Sequence, residues 1–188
     1  ALSSRFWMKP GRDGSFVSWH QDSAYFGLDP HELVTVWLAL TDSKPENGCV
    51  RVIPGSHKGK SYSHVETYDE KNLLARGQSI DEIDDSDAVD LTLRAGQFSC
   101  HHERIVHGSA ANDTADMRVG LGIFYFPAHV KSTLGRRPAD LVRGVDDWGN
   151  WDADPTPTED RDARVLAHVL EAGERYTNPK YRQEAETA

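Results

Sequence analysis

A chain of 188 residues with 38% hydrophobic and 27% charged side chains is long enough to bury one core and too apolar for a disordered segment. Its net charge of −9 disfavours a nucleic-acid partner, because a phosphate backbone selects faces rich in Lys and Arg. It leaves room for a small anionic ligand, which needs only a local cluster of positive groups.

The chain opens Ala1-Leu2-Ser3-Ser4-Arg5 without a methionine. The expectation is one domain over residues 1–188 that lacks an N-terminal portion. The turn-rich Pro10-Gly11-Arg12-Asp13-Gly14 introduces a predicted strand over 16–22. Residues 33–41 alternate most clearly, with Val34, Val36, Leu38 and Leu40 on one face and Thr35, Trp37 and Ala39 on the other. Glu46-Asn47-Gly48 is a turn signal, and a short strand over 49–53 stops at Pro54-Gly55. Residues 58–88 read as polar and irregular, and the acidic run 81–90 reads as a solvated loop. Strands resume over 90–94, 97–107 and 118–126. Many short strands without alternating helices predict an all-β sandwich or barrel. Thr156-Pro157-Thr158-Glu159 then supplies helix-start signals, Ala163, Leu166, Ala167 and Leu170 share a face, and Gly173 is a plausible stop. One peripheral helix near the C-terminus is expected, with Trp148 and Trp151 as packing anchors before it. No apolar run approaches the roughly 20 residues of a membrane-spanning helix. Cys49 and Cys100 occupy unrelated contexts, so both read as reduced thiols and the protein as cytoplasmic.

The chemistry concentrates in His20-Gln21-Asp22, His107 and Arg118. On an extended strand, residues i and i+2 project to one side, so His20 and Asp22 converge while Gln21 faces away. An H-x-D alone is common. Two imidazoles and a carboxylate together fit the facial triad that holds Fe(II) and leaves positions open for small molecules. Arg118 is a planar cation suited to a carboxylate, and Gly120 and Gly122 on its face would make room for one. The plainer reading makes Arg118 a surface partner of Asp113 or Asp116. Ser109, two positions after His107, can point the same way. At most one of His101 and His102 faces inward, as a core residue or beside the metal ligands. His57 and His64 read as turn residues or pocket walls, and His31, His129 and His168 as surface histidines. Trp37 is either core or a wall of the co-substrate site. Lys58, Arg76 and Arg104 are candidates for recognising an anionic substrate.

His20-Gln21-Asp22, the run from Pro45-Glu46-Asn47-Gly48 to Pro54-Gly55-Ser56-His57-Lys58, and His107-Gly108-Ser109 with Arg118 resemble the phytanoyl-CoA dioxygenase family over about residues 6–130. The resemblance implies a double-stranded β-helix (jelly-roll, cupin-like) core, with Fe(II) as metal and 2-oxoglutarate and O2 as co-substrates. It implies His20, Asp22 and His107 as iron ligands, and Arg118, Ser109 and Trp37 as 2-oxoglutarate contacts. An earlier basic residue that helps hold 2-oxoglutarate in the family is expected to precede this chain. Residues 97–112 resemble a bacterial branch acting on aminoalkylphosphonates or secondary-metabolite precursors. The implied reaction is hydroxylation of a C–H bond in a small polar metabolite. Desaturation, cyclisation or halogenation at the same iron, or a non-catalytic jelly-roll binding module, are the alternatives. Because Asp22 is intact, hydroxylation is favoured over halogenation. The oligomeric state is left open.

Overall fold

The structure, a computed structural model, describes residues 1–81 and 83–177, with side chains through Glu174. In chain order the elements begin with β1 (Ser3–Lys9), β2 (Val17–His20), the one-turn helix α1 (Ser23–Phe26), β3 (Leu28–Asp29), β4 (Val34–Ala39) and β5 (Arg51–Val52). They continue with β6 (Val65–Glu66), β7 (Gln78–Ser79), β8 (Val89–Asp90), β9 (Phe98–His102), β10 (His107–Ser109), β11 (Arg118–Tyr125), β12 (Lys131–Ser132) and α2 (Ala163–Thr177). Eight strands form two antiparallel four-stranded sheets, ordered β1-β11-β4-β9 and β2-β10-β5-β8. The path alternates repeatedly between the sheets, as in the expected jelly roll. Among the described residues no helix is long and apolar enough to cross a membrane.

The first sheet inverts the usual polarity of a sandwich. On β4 the buried side is Thr35, Trp37 and Ala39, while Val34 and Leu40 are exposed and Val36 and Leu38 half-buried. On β11 the buried positions are Arg118, Gly120, Gly122 and Phe124, with Val119, Leu121 and Ile123 half-buried on the other side. Alternation therefore identified the faces correctly, but the more polar face lies between the sheets. The two glycines do not open space for a ligand directly, as their spacing had suggested. A Cβ on Gly120 would fall inside the Trp37 indole, and one on Gly122 would lie 3.0 Å from Trp7 Nε1. They seat two tryptophans, which in turn line the space between the sheets.

Several expected boundaries differ. β1 was not anticipated, because its inward positions include Lys9, fully buried, while Phe6 and Met8 face outward and are exposed. The predicted strand 16–22 ends at His20, and Asp22 sits at the N-terminal cap of α1 with helical angles. The run 97–107 is two strands in different sheets, separated by a turn closed by Ile105 N–H donating to the His102 carbonyl at 2.9 Å. Helix α2 starts later than its signals indicated: Asp162, not Thr156, accepts the first-turn N–H of Arg164 at 3.0 Å. Asp162 also receives Thr158 N–H at 3.1 Å, so the threonine supports the cap instead of making it. The helix turns Val165 and His168 inward, leaves the predicted Ala163, Leu166, Ala167 and Leu170 face exposed, and runs past Gly173. Trp151 is a buried anchor whose indole donates to the Val130 carbonyl at 2.8 Å, whereas Trp148 is exposed. The acidic run is a loop leading into β8, with Glu82 outside the described residues.

Overpacking by a single methyl tests the tryptophan seat. Gly120→Ala is expected to lower unfolding stability by roughly 1–3 kcal/mol, measured by urea denaturation.

Candidate metal centre

β2 and β10 pair with His20 opposite His107. This register brings residues far apart in sequence together, with ring centroids 4.1 Å apart. Each ring is oriented the same way. His20 Nδ1 donates to the Ser18 carbonyl at 2.9 Å, and His107 Nδ1 to the Ile105 carbonyl at 3.1 Å. With Nδ1 protonated in both, each Nε2 presents a lone pair to the cavity, the tautomer a metal requires.

The carboxylate arrives from the loop after β2. Gln21, between the two ligands, is buried and ties three segments together. Its amide donates to the Arg104 carbonyl at 2.7 Å, its side-chain oxygen accepts Tyr62 N–H at 2.9 Å, and its own N–H donates to His64 Nε2 at 3.0 Å. Asp22 Oδ1 then lies 3.5 Å from His20 Nε2 and 3.9 Å from His107 Nε2. One ligand atom from each of His20, Asp22 and His107 falls within 4.8 Å of the others, so the three can hold one metal ion. Oδ2 turns away and accepts the Thr35 hydroxyl at 2.7 Å. Burial alone would raise the Asp22 carboxyl, but His107, His20 and His101 around it bring it well below the usual carboxylate range. Burial, with His20 beside it, pushes His107 well below an ordinary imidazole. A carboxylate beside two imidazoles whose Nδ1 atoms are held by backbone carbonyls is a donor set that fits Fe(II).

Arg118, Ser109 and Trp37 line the same cavity as the three ligands. Arg118 is buried and pairs with neither Asp113 nor Asp116. Its Nη2 donates to the Gly48 carbonyl at 2.9 Å and the Ser109 hydroxyl at 3.2 Å, and its guanidinium lies 5.2 Å from the Trp37 ring centroid. Arg118 Nε has no hydrogen-bond partner among the described residues, which leaves a buried donor of the kind a carboxylate accepts from. Ser109 is more occupied than its position in sequence indicated: its hydroxyl donates to the Gly48 carbonyl at 2.7 Å and accepts from both Arg118 and Lys9.

Lys9 is a buried basic residue beside Arg118 and Ser109 that the sequence pattern did not single out. It stands opposite Arg118 in the β1–β11 register and donates to the Ser109 carbonyl at 3.0 Å, to the Ser109 hydroxyl at 2.5 Å and to the Ala110 carbonyl. Burial, and then Arg118 beside it, pushes the lysine down to about 7; burial brings Arg118 down to about 10. A lysine in a weakly marked strand carries no sequence signal for burial beside Arg118; only the register reveals it.

Other candidates lie elsewhere. Arg76 is buried against Glu66 at 2.9 Å, Arg104 donates to the Gly59 carbonyl at 2.7 Å, and Lys58 is exposed; none lines the metal cavity. His57 neighbours His102 at 5.9 Å between ring centroids, and His64 serves Gln21 instead of walling the pocket. His31, His129 and His168 each approach a carboxylate, Glu103, Glu32 and Asp154 respectively. Of the adjacent pair, His101 faces inward, buried, with its ring centroid 4.6 Å from that of His107.

Because the folded Lys9 loses its proton near 7 and the unfolded one near the ordinary lysine value, the unfolded state binds more protons between them. Stability is therefore expected to rise with pH through that window. Lys9→Met should flatten this dependence, read from urea midpoints at neutral and alkaline pH.

Comparison with known proteins agrees with this geometry. A family model described as phytanoyl-CoA dioxygenase (PhyH) matches residues 1–120. A probable alpha-ketoglutarate-dependent hypophosphite dioxygenase from Stutzerimonas stutzeri is 34% identical over 124 residues, covering 65% of this chain and 43% of that protein. The non-heme monooxygenase ThoJ superimposes with a TM-score of 0.79 at 33% identity, covering 100% of this chain and 68% of that one. EvdO2 from Micromonospora carbonacea var. aurantiaca, solved with 2-oxoglutarate, gives 0.55 at 29% identity over 64% of this chain and 51% of its own. The chain thus spans less than half the length of that curated relative. With the family model matching well over half of its residues, the chain belongs to the phytanoyl-CoA dioxygenase family.

Proposed function

We propose that this chain carries the reaction centre of an Fe(II)- and 2-oxoglutarate-dependent dioxygenase that hydroxylates a C–H bond in a small polar metabolite. The observation that carries the reading is the set of three ligand atoms within 4.8 Å, two of them on imidazoles oriented by backbone carbonyls. The family and the names of the relatives support it. His20, Asp22 and His107 would hold the iron, and Arg118, oriented by Ser109 and backed by Lys9, would hold the far carboxylate of 2-oxoglutarate. Trp37 would wall that co-substrate. When bound, the metal and 2-oxoglutarate supply the oxidising power of O2 toward an unactivated C–H bond.

The chain's own residues position the reactants and exclude water. Trp7, Val17, Val50 and Phe124 make the apolar part of the cavity wall. Trp7, Asp22 and Phe124 also border a groove of about 1440 Å³, which carries Arg5, Arg136 and Arg137 alongside Asp140 and Asp154. This mixed-charge approach suits a zwitterionic or anionic metabolite, and an aminoalkylphosphonate is of that chemistry. Asp22 as an intact ligand favours oxygen transfer over halide transfer. Cys49 and Cys100 are both free, which supports a cytoplasmic setting.

Asp22→Ala is expected to abolish Fe(II) binding by calorimetry and substrate-dependent succinate formation; unchanged turnover would sink the proposal. Mass analysis of the product separates a gained oxygen from a loss of two hydrogens.

A further inference from the structure

His101 is the polar group in this cavity that the proposed chemistry leaves without a task. It is buried, it lines the cavity, and neither ring nitrogen has a hydrogen-bond partner among the described residues. A side chain serving only to fill space would not need two polar atoms there, since burying each without a partner is unfavourable. Its position is specific. His101 stands directly opposite Thr35 in the β9–β4 register, and its Nε2 lies 3.9 Å from Asp22 Oδ2, the oxygen that Thr35 already holds at 2.7 Å.

We propose that His101 and Thr35 are positioning residues that keep Asp22 a one-oxygen ligand. Both donate to Oδ2, Thr35 through its hydroxyl and His101 through a ring N–H that closes the remaining gap by a small rotation. A carboxylate oxygen accepts two such bonds, so Oδ2 is fully engaged and only Oδ1 faces His20 and His107. The inference rests on the iron and 2-oxoglutarate reading above. Its consequence concerns the donor count: His20, His107 and a single Asp22 oxygen would hold the ion and leave room beside it for a chelating 2-oxoglutarate. A carboxylate free to turn its second oxygen inward would compete for that room.

The test is anaerobic titration of the Fe(II)-loaded chain with 2-oxoglutarate, following the visible charge-transfer absorption of the chelate, beside a separate measurement of Fe(II) affinity. His101→Phe keeps an aromatic ring of similar size and removes the donor. It is expected to weaken 2-oxoglutarate binding about tenfold or more while Fe(II) binds as well as before or more tightly. His101→Gln, which restores a donor, should return to within about threefold of the parent. Thr35→Val and Thr35→Ser should repeat the pattern, and they decide the matter if the histidine variant does not fold. Parent-like 2-oxoglutarate binding in both His101→Phe and Thr35→Val overturns the clamp. So does an equal loss of iron and 2-oxoglutarate affinity, the mark of a packing role. If the unsubstituted chain itself forms no chelate absorption, the oxygenase reading fails and takes the clamp with it; a normal chelate in parent and variants alike removes the clamp alone.

Discussion

Antiparallel pairing of β2 with β10 is the constraint on which the centre depends. It sets His20 across from His107, and the carbonyls two residues before each histidine, Ser18 and Ile105, fix both rings in one tautomer. A slip of one residue in either strand would send its imidazole to the opposite face, away from the other. The register is held from both sides, since His107 and Gly108 also pair with Val52 and Arg51 of β5. All three residues of β10 are buried. The same short strand that presents His107 also presents Ser109, so the metal end and the arginine end share one rigid support.

The second sheet-borne feature is electrostatic. Lys9 and Arg118 are neighbours in register, both buried, with no carboxylate within ion-pair distance among the described residues. Carbonyl oxygens and one hydroxyl hold them instead. Like charges kept this close out of water oppose each other, which is why burial and mutual repulsion pull the lysine down. A negatively charged guest beside them would offset both penalties. Gly48 makes the arrangement possible: it adopts a left-handed conformation, and any Cβ there would collide with the Ala110 carbonyl while sending a methyl against the lysine. The Glu46-Asn47-Gly48 turn signal thus marks the point where Arg118 and Ser109 find their shared acceptor.

Much of this was legible in the residues. His20, Asp22, His107, Arg118, Ser109 and Trp37 all border one cavity, as their pattern indicated. The two faces of β4 were separable by alternation, but not which of them lay inside, because Val34, Val36 and Leu38 look more like core than Thr35 does. Lys9 escaped for the same reason, being an inward lysine between outward Phe6 and Met8. The strand rationale for His20 and Asp22 reached a correct convergence by a path the backbone does not take, since the chain turns into α1 at Asp22. The late start of α2 reflects a stronger competitor: Asp162, accepting from Thr158 and Arg164, outbid the capping signals upstream.

Gln21 gives the centre a dependence on chain segments that never touch it. Its backbone N–H and side chain engage His64, Tyr62 and Arg104, and it is covalently bonded on each side to one of the three candidate ligands, His20 and Asp22. The segment over residues 59–64 therefore cannot open without releasing the amide that spaces His20 from Asp22. Local unfolding of that loop is thereby coupled to the spacing of the ligand set. By reciprocity, whatever tightens the ligand set raises the cost of opening the loop, and amide hydrogen exchange there becomes a remote readout of the metal centre.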